Sequence, residues 1–258
     1  GTIAGAGAKG KVAGYVPGGV NLDDLCDSVY GLEDLADIVG MEICKTDSNN
    51  VADKEWLRMA SVIETLAKLP YVSGFVITHG TNTIEETAYF LHLTVHTEKP
   101  VILTGSMRPS TALSPDGPMN LYQAVSLASR EEGKGMGVMV VFADAIYSAR
   151  DVQKVSTFKT DAFHSRDFGC LGYMKEEIPY FFQKPLKKHT YVSEFSTEGI
   201  TTLPKVSIAY FHSGADPEIL DYMADHYAGI VIAGCGIGSY SESWRWKVKD
   251  LEEPCPPP

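Results

Sequence analysis

Cysteine is scarce in this 258-residue chain: five residues, Cys26, Cys44, Cys170, Cys235 and Cys255, with no C-x-x-C pair among them. That spacing counts against a zinc ribbon or a disulfide scaffold, although the odd number leaves at least one thiol unpaired and one disulfide open. No apolar run approaches the roughly 20 residues that cross a bilayer, so no membrane partner is expected. Basic residues are outnumbered, 22 Lys and Arg against 33 Asp and Glu, for a formal net charge of −11. Such a balance disfavours a phosphate backbone, so nucleic acid is not an expected partner. Three common catalytic spellings, G-x-x-x-x-G-K-[ST], G-x-S-x-G and H-E-x-x-H, are all missing. The seven histidines have no ligand spacing, so no metal site is indicated. Gly234-Cys235-Gly236-Ile237-Gly238 imitates a dinucleotide loop only loosely, a weak signal.

The chain is 44% hydrophobic, enough for a large core and one or two domains. Its most informative stretch is residues 74–90, GFVITHGTNTIEETAYF. Phe75, Val76 and Ile77 form the kind of apolar run that suits a buried strand. A polar loop with Gly80 at its middle follows. Thr83 and Glu86 then spell a capping box ahead of a helix carrying Ile84, Ala88 and Leu91. Thr81 and Asn82 are thereby placed at the carboxyl end of a strand, beside a helix N-terminus, where open α/β sheets bind ligands.

The first twenty residues, rich in glycine and alanine, read as a flexible loop without a regular element. Asn21 caps an expected helix through Leu22, Leu25 and Val29, with a further helical turn over 32–38 and a short strand over 41–44. An amphipathic helix is expected over 53–69, its stripe including Trp56, Leu57, Ala60 and Ile63. A strand over 100–104 runs into the loop GSMRP at 105–109, then come a helix with Leu121, Ala124, Val125 and Ala128, and a strand over 137–142. This alternation predicts a larger N-terminal α/β domain with a parallel, flavodoxin-like sheet over residues 1–182. Residues 183–204 lack a core-facing period and read as a linker. Residues 205–258 read as a smaller, partial C-terminal α/β domain: strand 206–211, helix 217–227, strand 229–233 and helix 242–251. No signal peptide is visible, but the abrupt opening at Gly1-Thr2 and the proline-rich stop suggest that both ends are cut, which leaves room for a lost targeting segment.

The residues left for chemistry are Thr2, Tyr15, Ser48, Thr81 and Lys154. A threonine hydroxyl becomes a nucleophile when a neighbour removes its proton, and a lysine or tyrosine of lowered pKa can do so. His79 lies in the central loop but reads as a structural hydrogen-bonder rather than a base.

Taken together, Gly1-Thr2-Ile3-Ala4-Gly5, THGTNTIEETAYFL, GSMRPSTALSPDGPMNL and SARDVQK, in that order, resemble bacterial L-asparaginases, most of all the type II branch. The resemblance spans nearly the whole chain. It implies an amidohydrolase that splits L-asparagine into L-aspartate and ammonia, often with weaker action on L-glutamine, without a cofactor. It further implies a homotetramer and a periplasmic or secreted location. By position, Thr2 matches the family's nucleophile and Tyr15 the tyrosine of a closing loop. Thr81 and Lys154 match the proton-handling pair. Ser48 matches the serine that holds the substrate carboxylate, and the backbone near Ser106 lies beside the substrate amide. The glycine-rich entry to Thr2 allows close backbone approach, Gly80 counts with Asn49 and Asn82 among the expected substrate-binding residues, and N–H groups around Thr81 are placed to stabilise an oxyanion.

The departures are equally specific. Asn82 stands where relatives have an aspartate that binds the substrate α-ammonium, and an amide supplies no charge. Lys154 thereby loses a counter-charge and should lean toward its neutral form. Asn49 stands where relatives carry glutamine, and Ile237 and Ser239 depart from a Gly-Asn-Gly loop. The strand before Thr2 and the segment bearing the loop tyrosine's glutamate partner are expected to lie outside the sequence given. Two other readings follow: a catalytically weak amino-acid-binding variant, and a glutaminase-asparaginase.

Overall fold

The computed structural model describes residues 1–11, 14, 16 and 19–252. The chain divides into two compact units, Gly1–Thr201 and Thr202–Pro258.

In the first unit a 3-10 turn at Thr2–Ala4 precedes helices α1 (Leu22–Asp27) and α2 (Asp53–Leu66). Then come β1 (Phe75–Thr78), α3 (Ile84–Thr94), β2 (Val101–Thr104), α4 (Gly117–Ala128) and β3 (Val138–Phe142). β1, β2 and β3 pair in parallel. Both β2 and β3 are buried along their whole length, which is why β3 and the first three residues of β2 are apolar; the buried Thr104 hydroxyl donates to the Val141 carbonyl at 2.8 Å. The pleat still sorts them by face. Val101, Leu103, Val138, Val140 and Phe142 pack against α2 and α3 through Met59, Ala60, Ile63, Ile84, Ala88 and Leu91. Ile102, Met139 and Val141 face α4 through Ala124, Leu127 and Ala128. Helices thus cover both sides, and the loops after β1 and β2 emerge together at the strands' carboxyl ends.

Beyond β3 the sheet stops being parallel. β4 (Ala145–Ser148) returns antiparallel to β3 through a tight turn in which Ala143 and Asp144 both have positive φ, 49° and 65°. β5 (Val152–Lys154) pairs with β6 (Phe163–Ser165), and β7 (Gly172–Lys175) with β8 (Ile178–Phe181), both antiparallel. The six-stranded sheet runs β1-β2-β3-β4-β7-β8, so the expected parallel sheet is a mixed one.

Several local expectations need correction. No strand forms over 41–44, and Met41 is exposed; the Arg58 guanidinium takes up the carbonyls of Glu42 and Ile43 instead. The helical turn expected over 32–38 is a single hydrogen-bonded turn, Leu35 N–H donating to the Leu32 carbonyl at 3.2 Å, followed by irregular chain, although Leu32 is buried. Thr83 sits at the N-cap of α3 but makes no capping bond, because its hydroxyl donates to the Ser48 carbonyl at 2.8 Å. The chain's opening is anchored: Thr2 and Ile3 are buried, and Ile3 joins a cluster with Leu25, Val29, Leu32, Leu121 and Val125. Within 183–204, read as a linker, His189 and Thr190 are buried and Ser193 bonds the Leu93 carbonyl.

The second unit follows its sequence pattern closely. β9 (Val206–Tyr210) and β10 (Gly229–Ala233) pair in parallel, flanked by α5 (Ile219–His226) and α6 (Glu242–Glu252). Its core is Ala209, Leu220 and Trp244, with the Trp244 indole N–H donating to the Ala215 carbonyl at 2.9 Å.

Candidate active site

The loop after β1 is held in place by glycine at a crowded junction. A Cβ on Gly80 would come within 2.5 Å of Ser48 Oγ and 3.3 Å of Gly1 Cα. Only a residue without a side chain allows the start of the Thr2–Ala4 turn, the 3-10 turn at Ser48–Asn50 and the loop 79–83 to meet there. Around this junction Gly1, Thr2, Asp47, Ser48, Gly80, Thr81, Asn82, Met107, Lys154 and Thr157 line a cavity of about 130 Å³. Two hydroxyls nearly eighty residues apart in sequence, Thr2 and Thr81, therefore share one small chamber. Both are buried.

Lys154 reaches the chamber from the end of β5. Its Nζ donates to Thr81 Oγ1 at 2.9 Å and to Asn82 Oδ1 at 2.8 Å. Burial lowers the Lys154 pKa, and the nearby Glu85 carboxylate opposes that shift. Glu85 is also the acceptor for the Lys154 backbone N–H, Oε2 lying 2.5 Å away, and burial pushes its own pKa upward. Nothing in the sequence pattern had singled out Glu85. It sits in the first turn of α3 and reaches across to β5, a contact that only the tertiary fold creates. Asp47, Met107 and Thr157 are likewise wall residues to which the sequence assigned no role.

Asn82 is pinned at both ends of its amide. Oδ1 accepts from Lys154, and Nδ2 donates to Asn49 Oδ1 at 3.2 Å. Asn49 thus takes part through Asn82 rather than as a wall residue. Ser106 is fully buried and donates its hydroxyl to the Arg108 carbonyl at 2.8 Å, so its neighbour Met107 faces the chamber in its place. Asp116 fixes that loop by accepting the N–H groups of Met107 at 2.9 Å and Arg108 at 2.8 Å. Tyr15 lies outside the described residues.

His79 backs the loop without entering the chamber. Its Nδ1 lies 2.8 Å from the Gly80 carbonyl, which can only accept, so Nδ1 carries the proton. Nε2 then accepts the Thr87 hydroxyl at 3.0 Å, and Thr87 accepts the Trp56 indole N–H at 2.8 Å. Burial lowers the His79 pKa and keeps the ring neutral. This is the structural role its sequence position suggested. Among the described residues, no group of three or more His, Cys, Asp or Glu could hold a metal ion.

The chamber is well below the roughly 300–1,000 Å³ of drug-sized pockets, so it suits a small substrate. Its hydroxyl, lysine and loop N–H groups can attack a carbonyl and move protons. Comparison with known proteins bears on the same residues. Residues 1–187 match the family described as Asparaginase, N-terminal. Over 259 residues the chain is 47% identical to the glutaminase-asparaginase of Acinetobacter glutaminasificans, covering 98% of this chain and 77% of that protein. It is 43% identical to a probable periplasmic L-asparaginase of Haemophilus influenzae, covering 93% of this chain and 68% of the relative. The crystal structure of a probable cytoplasmic L-asparaginase from Campylobacter jejuni superposes with a TM-score of 0.93 at 44% identity, over 97% of this chain and 77% of that one.

Proposed function

The chain belongs to the asparaginase family, and from that premise we propose that it hydrolyses the side-chain amide of L-asparagine with Thr2 as nucleophile. Enzyme and amide substrate follow from the family; the assignment of roles is our reading. The observation that carries it is the Lys154–Thr81 hydrogen bond at 2.9 Å on the wall of the chamber that also holds Thr2.

In this scheme Thr2 Oγ attacks the amide carbon, its proton passing to a base in the site, and the carbonyl electrons move onto oxygen. Loop N–H groups around Thr81 stabilise that oxyanion. Collapse expels ammonia, which takes up a proton, and leaves an aspartyl ester on Thr2. Water then attacks the ester, Thr81 and Lys154 accepting its proton, and L-aspartate leaves as the Thr2 hydroxyl is restored. A lysine of lowered pKa suits this work, because its neutral form can accept a proton nearer neutral pH. Ser48 is placed to hold the substrate α-carboxylate.

Ammonia release from L-asparagine tests the assignment. The Thr2→Ala chain should be slower by about 10³-fold or more. Equal rates for the two would remove the nucleophile. A weak binding variant is the second reading, favoured by Asn82, whose neutral amide faces Lys154. Calorimetry separates them, since asparagine affinity without turnover would mark a binder. The relative from Acinetobacter is named for both amides; the shortened Asn49 favours asparagine, and a glutamine-to-asparagine rate ratio near one would overturn that preference. We further propose a homotetramer, to be checked by light scattering. For compartment we propose the periplasm or the exterior, on the type II resemblance and the name of the Haemophilus relative. Fractionation of the source cells decides it against the cytoplasm named for the Campylobacter structure.

A further inference from the structure

An α-amino acid arrives as a zwitterion, so a wall that selects it needs an anion for the α-ammonium as well as donors for the α-carboxylate. Asn82 provides no charge, and its Oδ1 is already occupied by Lys154 at 2.8 Å. Only two charged side chains line the chamber among the described residues, Lys154 and Asp47. Lys154 is engaged with Thr81 and Asn82. Asp47 is not fully engaged: Oδ1 caps the turn Ser48–Asn50 by accepting the Asn49 N–H at 2.9 Å, and Oδ2 has no partner among the described residues. Asp47 and Thr2 line the same chamber.

Resting on the proposed asparagine activity, we infer that Asp47 is the carboxylate that receives the substrate α-ammonium, a role the Asn82 amide cannot fill. Asp47 and Ser48 are consecutive in the chain. The α-ammonium and α-carboxylate hang from one substrate carbon, so two adjacent wall residues can take one group each. The capping bond holds the Asp47 side chain in place beforehand, which limits the rotamer entropy lost on binding. The expected consequence is selectivity by charge: the site prefers an amide bearing an α-ammonium over the same amide without one.

The experiment compares L-asparagine with succinamate, which keeps the amide and the carboxylate and lacks the amino group. Asp47→Asn preserves a good capping side chain, so folding should survive, and circular dichroism checks it. For this variant KM for L-asparagine should rise by about 10- to 100-fold, while KM for succinamate stays within roughly two-fold. An equal change for both substrates, or none for either, overturns the assignment. If the parent chain releases no ammonia at all, the activity proposal falls, and calorimetry still decides Asp47. The parent should then bind L-aspartate more tightly than succinate, with that preference lost in Asp47→Asn. No preference in the parent would overturn it.

Discussion

At the residue scale the account turns on what surrounds one lysine. The sequence reading expected Lys154 to lose its counter-charge where Asn82 replaces an aspartate. In the structure Glu85 supplies part of that charge from α3, while burial dominates and lowers the lysine pKa. Asn82→Asp would place a carboxylate where the Asn82 amide oxygen now lies 2.8 Å from Nζ. An added negative neighbour favours the charged lysine, so its pKa must rise. If neutral Lys154 is the working form, the limb of kcat that rises with pH should move to higher pH in Asn82→Asp. A pH–rate profile of both chains checks this, and an unmoved limb, or one moved down, would show that Lys154 does not control the rate. That Thr2, Thr81 and Lys154 share a wall was legible in the sequence because they lie in motifs matched in order, and Ser48 by its position between them. Asp47 and Glu85 were not, because each matters only through a contact made by folding.

At the scale of elements, strands and helices with a strong apolar period were readable. α2, the β1–α3 unit and all four elements of the second unit lie close to their expected positions. The antiparallel half of the first sheet was not. Its entry turn uses Ala143 and Asp144 at positive φ in place of the usual Asn-Gly or Gly. That turn is imposed from α4, where Asn120 Oδ1 accepts the Ala143 N–H at 3.0 Å and the Gln123 amide donates to Asp144 at 2.7 Å. The capping box at Thr83 failed for a similar reason: a tertiary acceptor won the hydroxyl.

The join between α3 and the turn at Thr190–Val192 carries its own prediction. His92 is fully buried, its ring 5.1 Å from that of His189. Both pack on Gly137, where φ is +74° and a Cβ would come within 2.7 Å of His92. His92 Nδ1 accepts the Val138 N–H at 3.2 Å, so the ring is neutral with its proton on Nε2. Burial first, then His189 and Arg150, lower its pKa from 6.5 to about 3. The unfolded chain therefore binds a proton below about pH 6.5 that the folded chain refuses until about pH 3, and stability falls as pH drops through that window. Between pH 7 and 5 the loss due to this ring is about 2 kcal/mol. Urea unfolding of the parent and of His92→Gln at both pH values should show a smaller drop in the variant. Equal drops would mean that His92 is not the group being titrated.

At the scale of the whole molecule, two units carry two separate cores, and every described residue of the candidate site belongs to the first. The first unit's sheet, covered on both faces by helices, gives the loops after β1 and β2 a rigid base. That is how a threonine at the second position and one at position 81 come to share a chamber. The most direct measurement is to quench the chain with acid during turnover of L-asparagine and map the modified peptide by mass spectrometry. The account predicts an aspartyl ester on the peptide that carries Thr2, absent from Thr2→Ala. An ester on Thr81 instead, or undiminished ammonia release from Thr2→Ala, would contradict it.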